Sequence, residues 1–341
     1  MNKLIILFTI VVSLACMFSS CETETQSTDT VKKDTVVVDT PEELLKLNAE
    51  IAKNPKDADL LHKRALYFLE KQEINDGIID MIDALNIDST KSDYYVTISN
   101  LYFLGNKTGK AKVALERAVS LDEKNIEALL KLAELYLYVS KNEKSIEAIN
   151  KVLRLDQYNA KAYFMKGMNY KELKDTAKAI SSMQTAVEQD QLYYQAFMQL
   201  GILCAAKNNP LAVQYYKNAI RLNPKSVEAI YGLGKYYQDT EDFKNALLTY
   251  NTILEFDRDK YTHYNIAVIH LVNSKKYDLS ITHFSEAIAI DPKYVEAYYG
   301  RGVTYQTQGN KTAAINDFKA CLALNGDYEL AKIELQKLGV K

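Results

Sequence analysis

VEAYYGRGVTYQTQGNKTAAINDFKACLALNGDY, residues 295–328, decides the reading of this chain, because its pattern returns in register across most of the 341 residues. With Val295 as position 1, large residues stand at positions 4, 11 and 24 (Tyr298, Tyr305, Phe318) and small ones at 8 and 20 (Gly302, Ala314). Steps of 34 residues toward the amino end reach Tyr261 and Val227, a step of 33 reaches Tyr194, and further steps of 34 reach Ala160, Ile126, Ser92 and Ala58. The chain thus holds eight tiles: 58–91, 92–125, 126–159, 160–193, 194–226, 227–260, 261–294 and 295–328. Position 4 reads Leu61, Tyr95, Leu129, Tyr163, Phe197, Ile230, Tyr264, Tyr298, and position 11 is aromatic in six tiles. Position 8 reads Ala65, Ser99, Ala133, Gly167, Gly201, Gly234, Val268, Gly302, and position 20 is glycine, alanine or serine throughout.

Positions 4, 7, 8 and 11 fall on one stripe of a 3.6-residue helix, and positions 20, 24, 27 and 28 on a stripe of a second. Each tile is therefore a pair of helices, and nothing in the pattern alternates with the period of a strand. Small residues at 8 and 20 let the two helices approach closely while bulky neighbours fill the space beside that contact. Short polar turns such as Gln308-Gly309-Asn310 separate the helices, and Asn223-Pro224 and Asp291-Pro292 end tiles where proline stops a helix.

This pattern resembles the tetratricopeptide repeat (TPR), a 34-residue helix-turn-helix unit with a large residue at position 4, glycine or alanine at 8, tyrosine at 11, alanine at 20 and 27, an aromatic at 24 and proline at 32. The resemblance spans residues 58–328. It implies an all-α chain, an α-solenoid wound as a right-handed superhelix of eight units. Departures are local. Proline stands at position 32 only as Pro224 and Pro292, and the tile from Tyr261 carries Val268 and Ser280 at the small positions. The tile from Tyr194 lacks one residue in AKNNP, which should shorten the turn and leave both helices intact.

Ahead of the array, residues 1–20 join an early lysine to an apolar run from Leu4 to Phe18, too short to cross a bilayer, which takes about 20 residues. They read as a signal peptide. Phe18-Ser19-Ser20-Cys21 resembles a bacterial lipobox, and the resemblance implies cleavage before Cys21 and lipidation of that residue. Cys16, after Leu14-Ala15, is the rival acceptor, and an ordinary signal peptide cut near Ala15 is the plainer alternative. Residues 21–40 then form the lipidated cysteine and a threonine-rich flexible tether. Within it, Asp29-Thr30-Val31 and Asp34-Thr35-Val36 look like acceptors of some bacterial O-glycosylation systems, a pattern that such a composition also produces by chance. Thr40-Pro41-Glu42-Glu43 carries an N-cap, a first-turn proline and a capping box, so residues 41–53 form a capping helix. Residues 329–341 supply a second, charged cap, and the array with its caps runs from 41 to 341.

A net charge of −2 with 25% charged residues gives no electrostatic basis for nucleic-acid binding. Candidate chemistry is sparse. Gly105-Asn-Lys-Thr-Gly109-Lys110-Ala111 is one residue short of a phosphate-binding loop, ends in alanine where a hydroxyl is needed, and follows a helix. Gly232-x-Gly234 lies inside a helix, with Gly234 explained by position 8. His263 and His270 share one helix face and His283 lies on the partner helix, yet no carboxylate or cysteine joins them at ligand spacing, so exposed or packing histidines are the expectation. Cys204 and Cys321 occupy core positions three tiles apart and read as small buried hydrophobes. The sequence offers no nucleophile with an adjacent base, and a protein that is not an enzyme, takes no cofactor and binds no small-molecule substrate is expected.

Function must then come from a surface. In the family that the repeat resembles, first helices line a concave groove through positions 2, 5, 9, 12 and 13. The corresponding partner-binding candidates are Val96, Asn100, Phe103, Leu130, Glu134, Leu137, Tyr138, Phe164, Met168, Met198, Tyr231 and Tyr299. Some of these side chains also suit packing against the next tile. The resemblance, with the lipobox, implies an adaptor tethered in the bacterial cell envelope, at the outer membrane, that holds an extended peptide or helix of an envelope protein. A self-associating structural scaffold without a peptide ligand is the alternative.

Overall fold

The computed structural model describes residues 41–340. Cys21, the expected signal peptide and tether, and Thr40 of the expected capping box lie outside the described residues. Among the described residues the chain is all-helical, with eighteen α-helices and no strand. They begin with α1 (Glu42–Lys53), α2 (Ala58–Glu70), α3 (Ile74–Ile87), α4 (Ser92–Leu104), α5 (Thr108–Leu121) and α6 (Ile126–Tyr138). Next come α7 (Asn142–Leu155), α8 (Ala160–Glu172), α9 (Thr176–Gln189), α10 (Tyr194–Ala205), α11 (Leu211–Leu222) and α12 (Val227–Asp239). The series closes with α13 (Phe243–Leu254), α14 (Lys260–Ile269), α15 (Tyr277–Ile290), α16 (Val295–Thr307), α17 (Lys311–Leu324) and α18 (Glu329–Lys337). From Lys46 onward they form one compact unit. Within it the helices pack in sequence order, even-numbered first helices against odd-numbered second helices, as an α-solenoid of eight hairpins does.

In seven of the eight hairpins the close contact is made where the sequence pattern places it. Every position-20 residue from Ala111 to Ala314 is fully buried, and position 24, read as Met81, Leu115, Ile149, Met183, Tyr216, Tyr250, Phe284 and Phe318, is at most 4% exposed. A methyl group added at Gly234 would stand 2.7 Å from the Tyr250 ring, and one at Gly302 would stand 2.7 Å from Phe318. Glycine at position 8 is thus the space into which the large position-24 side chain fits. The same ring reaches forward as well. Added methyls at Gly232 and Gly300 would meet Tyr216 and Phe284 of the preceding hairpin at 2.7 and 2.4 Å, which explains Gly232 as packing.

Turns within the hairpins repeat one device. Position 15 is left-handed in every tile: Gln72, Asn106, Ser140, Lys174, Asn208, Glu241 and Lys275 have φ between 51° and 64°, and Gly309 has φ 85°. The next backbone N–H returns to the position-11 carbonyl in seven tiles, as in Asn310 to Tyr305 at 2.8 Å, which satisfies a carbonyl the ending helix leaves open. The stretch Gly105–Ala111 is one of these turns, with Ala111 buried between helices.

Two expectations need correction. The missing residue near Asn209 does not shorten the turn, since Asn208 keeps the left-handed conformation and Asn209 still bonds back to Cys204 at 2.9 Å. It is taken from the second helix, which starts late, at Leu211. The Val268 anomaly is a slip of register. Helix α14 begins one residue early, Ala267 at 0% exposure takes the close-contact place beside Phe284, and a π-helical turn at His270–Ser274 absorbs the extra residue. The returning N–H of Lys276 accordingly reaches His270, one residue short of Leu271 at position 11.

The ends are covered as expected in kind. Ile51 of α1 packs on the first core cluster and Asn48 accepts a hydrogen bond from Arg64 Nη1 at 2.7 Å. Ala331 and Leu335 of α18 bury against Phe318 and Cys321, and the helix stops at Lys337, ahead of Gly339 at φ 80°. Sequence reading missed a pair of ion forks in the two terminal tiles. Arg64 grips Asp80 with two bonds of 2.7 Å, and Arg301 grips Asp317 with two of 2.8 Å, both carboxylates being buried.

Left-handed backbone disfavours a side chain with a Cβ, by about 1–2 kcal/mol, and lysine has no local bond to offset it. Lys174→Gly is expected to stabilise the fourth hairpin by about 0.5–1 kcal/mol, and Asn106→Gly by less because asparagine tolerates this region. Native-state hydrogen exchange of α8 and α9 checks it; unchanged or weaker protection in Lys174→Gly would be the opposite result.

Candidate functional site

Position 5, which begins the expected groove, is largely closed. Val96, Leu130 and Met198 are 4%, 8% and 4% exposed and pack between hairpins, so no partner reaches them without prising helices apart. Phe164 is half-buried against the ring of Tyr193 at 5.0 Å, and Tyr299 lies between the rings of Phe318 and Tyr328. Tyr231 accepts a hydrogen bond from Asn265 Nδ2 at 2.8 Å. Burial raises the phenol pKa of Tyr231 and Tyr299, and drives Tyr193 up to about 12. These rings are seams between successive hairpins. The inward-facing period of the first helix continues past the hairpin contact and serves the next hairpin, which sequence spacing alone does not distinguish from an open face.

Positions 9, 12 and 13 differ. Asn100, Leu137 and Met168 are half-buried and Glu134 is exposed. At the carboxyl ends of α4 and α6, Phe103, Leu104, Tyr138 and Val139 are 39%, 45%, 51% and 37% exposed. Phe103 and Tyr138 meet edge to face across the two helices, with ring centres 5.3 Å apart. Val139 was missed because it follows the periodic positions. In the fourth tile Lys171 replaces the apolar residue at position 12, and its half-buried ammonium donates to Gln199 Oε1 at 2.7 Å. At positions 12 to 14 the exposed apolar surface therefore runs from Phe103 and Leu104 through Tyr138 and Val139 to Leu173 of the fourth hairpin, narrower than the five tiles over which large side chains run.

The register slip in the seventh tile also places the histidines. His263 and His270 stand where other tiles carry the large residues of positions 4 and 11, and both face His283. The Nδ1 atoms of His263 and His283 are 3.0 Å apart, and His270 Nδ1 is 3.0 Å from Ser274 Oγ. Burial holds all three imidazoles below their ordinary range and, with the two neighbouring rings, pushes His283 down to about 4. Glu286, gripped by Arg258 at 3.0 Å, acts in the opposite direction on His263 and His283, and Lys276 depresses His270 further. Among the described residues no group of three or more histidine, cysteine, aspartate or glutamate side chains is arranged to hold a metal ion. The histidines fill a core. Cys204 and Cys321 are likewise buried and unpaired, with burial raising both thiols, Cys321 up to about 11.

Comparison with known proteins agrees with the hairpin geometry. A family model described as "Tetratricopeptide repeat" matches residues 92–125, 126–159, 160–191 and 295–328, a second so described matches 205–261, and one described as "TPR repeat" matches 270–309. The chain belongs to the tetratricopeptide repeat proteins. Its fold is similar to the C-terminal part of a TPR repeat-containing protein from Cytophaga hutchinsonii (TM-score 0.62, 19% identity, 70% of this chain and 98% of that one). It is also similar to a tetratricopeptide repeat protein from Parabacteroides merdae (TM-score 0.50, 20% identity, 72% and 98%). Human tetratricopeptide repeat protein 6 is 30% identical over 129 residues, 35% of this chain and 23% of that protein. Rat serine/threonine-protein phosphatase 5 is 23% identical over 101 residues, 30% of this chain and 20% of that protein. The chain thus spans about a fifth of the length of the first curated relatives it matches.

Because the seventh hairpin buries histidines with lowered pKa values, unfolding takes up protons. The stability they bring is complete above about pH 6.5 and is lost as pH falls from there through about 4. Protection of α14 and α15 from hydrogen exchange should fall across that window more than protection of α8 and α9, and His283→Gln should flatten the difference. Equal loss in both regions would assign the effect to other groups.

Proposed function

We propose that this protein is a membrane-tethered adaptor of the bacterial cell envelope, at the outer membrane, anchored through Cys21 and binding a segment of a partner protein on its first helices. The observation that carries the binding half is the exposed Phe103–Tyr138 surface. Its half-exposed side chains touch across two hairpins at the ends of their first helices, where other first-helix rings such as Phe164 and Tyr299 are taken up in seams. The anchoring half is supported by the lipobox-like Phe18-Ser19-Ser20-Cys21 behind a short apolar run. An array of packed hairpins gives such a surface a rigid backing, and a few apolar anchors in it supply most of the affinity. The buried residues of the expected groove act behind it by fixing the spacing of the hairpins.

A photo-crosslinking residue placed at Tyr138 in cells should yield an adduct with an envelope protein, and Phe103→Ala should weaken that complex by about 1–3 kcal/mol with little change in melting. Absence of an adduct, with a stable oligomer in sedimentation, would favour the scaffold reading instead. Cys21→Ala should leave unprocessed precursor or release the protein from membranes. A mature-sized, membrane-bound Cys21→Ala protein would contradict the anchor.

A further inference from the structure

The turn edge beside Phe103 and Tyr138 breaks two local rules at once. Lys107 and Lys141 occupy the N-cap positions of α5 and α7 and make no side-chain cap, as Lys276 does at α15, whereas Asp175, Asp242 and Asn310 cap the equivalent helices of the fourth, sixth and eighth tiles. Lys110 and Lys144 follow in the first turns. Cations there oppose the helix dipole, and lysine is a poor N-cap, so neither choice serves the helix ends themselves. All four are exposed, and none forms an ion pair among the described residues. Lys112, Lys131 and Lys151 in the same tiles are paired. Residues 104–111 and 138–145 hold these four lysines against one carboxylate, Glu143. The uncapped N–H groups of α5 and α7 add to the positive field.

Lys110 and Lys144 also lie over the rings of Tyr102 and Tyr136, at 5.6 and 5.9 Å, which holds their charge close to the helix ends. The basic groups stand on the turns and helix starts that directly follow Phe103, Leu104, Tyr138 and Val139. Those apolar side chains are half-sunk and do not project as a wedge, so the surface suits a segment brought to it better than insertion into a bilayer.

We propose that the turn edge of the second and third hairpins docks an acidic partner segment, its aromatic or aliphatic side chains seated on Phe103 and Tyr138 and its carboxylates held by Lys107, Lys110, Lys141 and Lys144. This rests on the adaptor reading and specifies the partner's chemistry. It places recognition at helix ends and turns, where charges that cost local stability gain a compensating anion.

Selection from a random 12-residue peptide display library with the full chain as bait tests it. Selected peptides should carry more Asp and Glu than Lys and Arg, together with an aromatic or aliphatic residue, and should bind more weakly as salt is raised. Lys110→Glu/Lys144→Glu should weaken them at least tenfold while keeping or raising the melting temperature, because glutamate suits a helix's first turn. Basic or neutral peptides, equal affinity for the variant, or no selection at all would overturn the proposal. So would a variant that loses binding to phosphatidylglycerol vesicles but not to phosphatidylcholine ones, since the lysines would then serve lipid headgroups. A crosslinked partner at Tyr138 with any of these outcomes would leave the adaptor reading standing and remove only the acidic segment.

Discussion

The structure depends on one contact repeated along the chain, the position-24 side chain pressed against the small residue at position 8 of its own hairpin. Where position 24 is Met81 or Ile149, position 8 carries Ala65 or Ala133; where it is Tyr216, Tyr250 or Phe318, position 8 is glycine. Volume is matched across most of these helix pairs, as dense packing requires, while Gly167 against Met183 and Ala267 beside Phe284 depart from the match. The same side chain reaches the next hairpin, so a single buried group fixes both the hairpin and its stacking. Gly232 and Gly300 show that coupling directly, because each removes a Cβ from the path of the preceding ring.

Most of this was legible from spacing. The tile boundaries, the small and large positions and both terminal caps follow from residue type and period alone. The seventh tile was not, because its small residue, Ala267, stands one place early and only the π-helical turn after it reveals the slip. An early sign was Val268 itself, a bulky residue at a small position with alanine beside it. The Arg64–Asp80 and Arg301–Asp317 forks were also missed, although arginine at position 7 and aspartate at position 23 coincide in both tiles.

The candidate surface was only partly legible for a related reason. In an array, the outward stripe of a first helix is shared between solvent and the following hairpin, and residue type does not divide it. Phe164 and Tyr299 have the composition of a binding face and the contacts of a seam, through Tyr193 and Tyr328. What separates Phe103 and Tyr138 is their place at the ends of α4 and α6, beyond those seams. The exposed surface and the unpaired lysines meet there, on helices whose packing is set by the position-8 contact behind them.

The direct measurement of that contact is a double-mutant cycle at Gly234 and Tyr250, read from hydrogen exchange of α12 and α13. Gly234→Ala should destabilise the hairpin by about 1–3 kcal/mol when Tyr250 is present, despite alanine's better helix propensity. In a Tyr250→Leu background the same change should cost little or become favourable, a coupling of about 1 kcal/mol or more. Effects that add to within about 0.5 kcal/mol would show the two residues to be independent, and the account of the repeat as a volume-matched pair would fail.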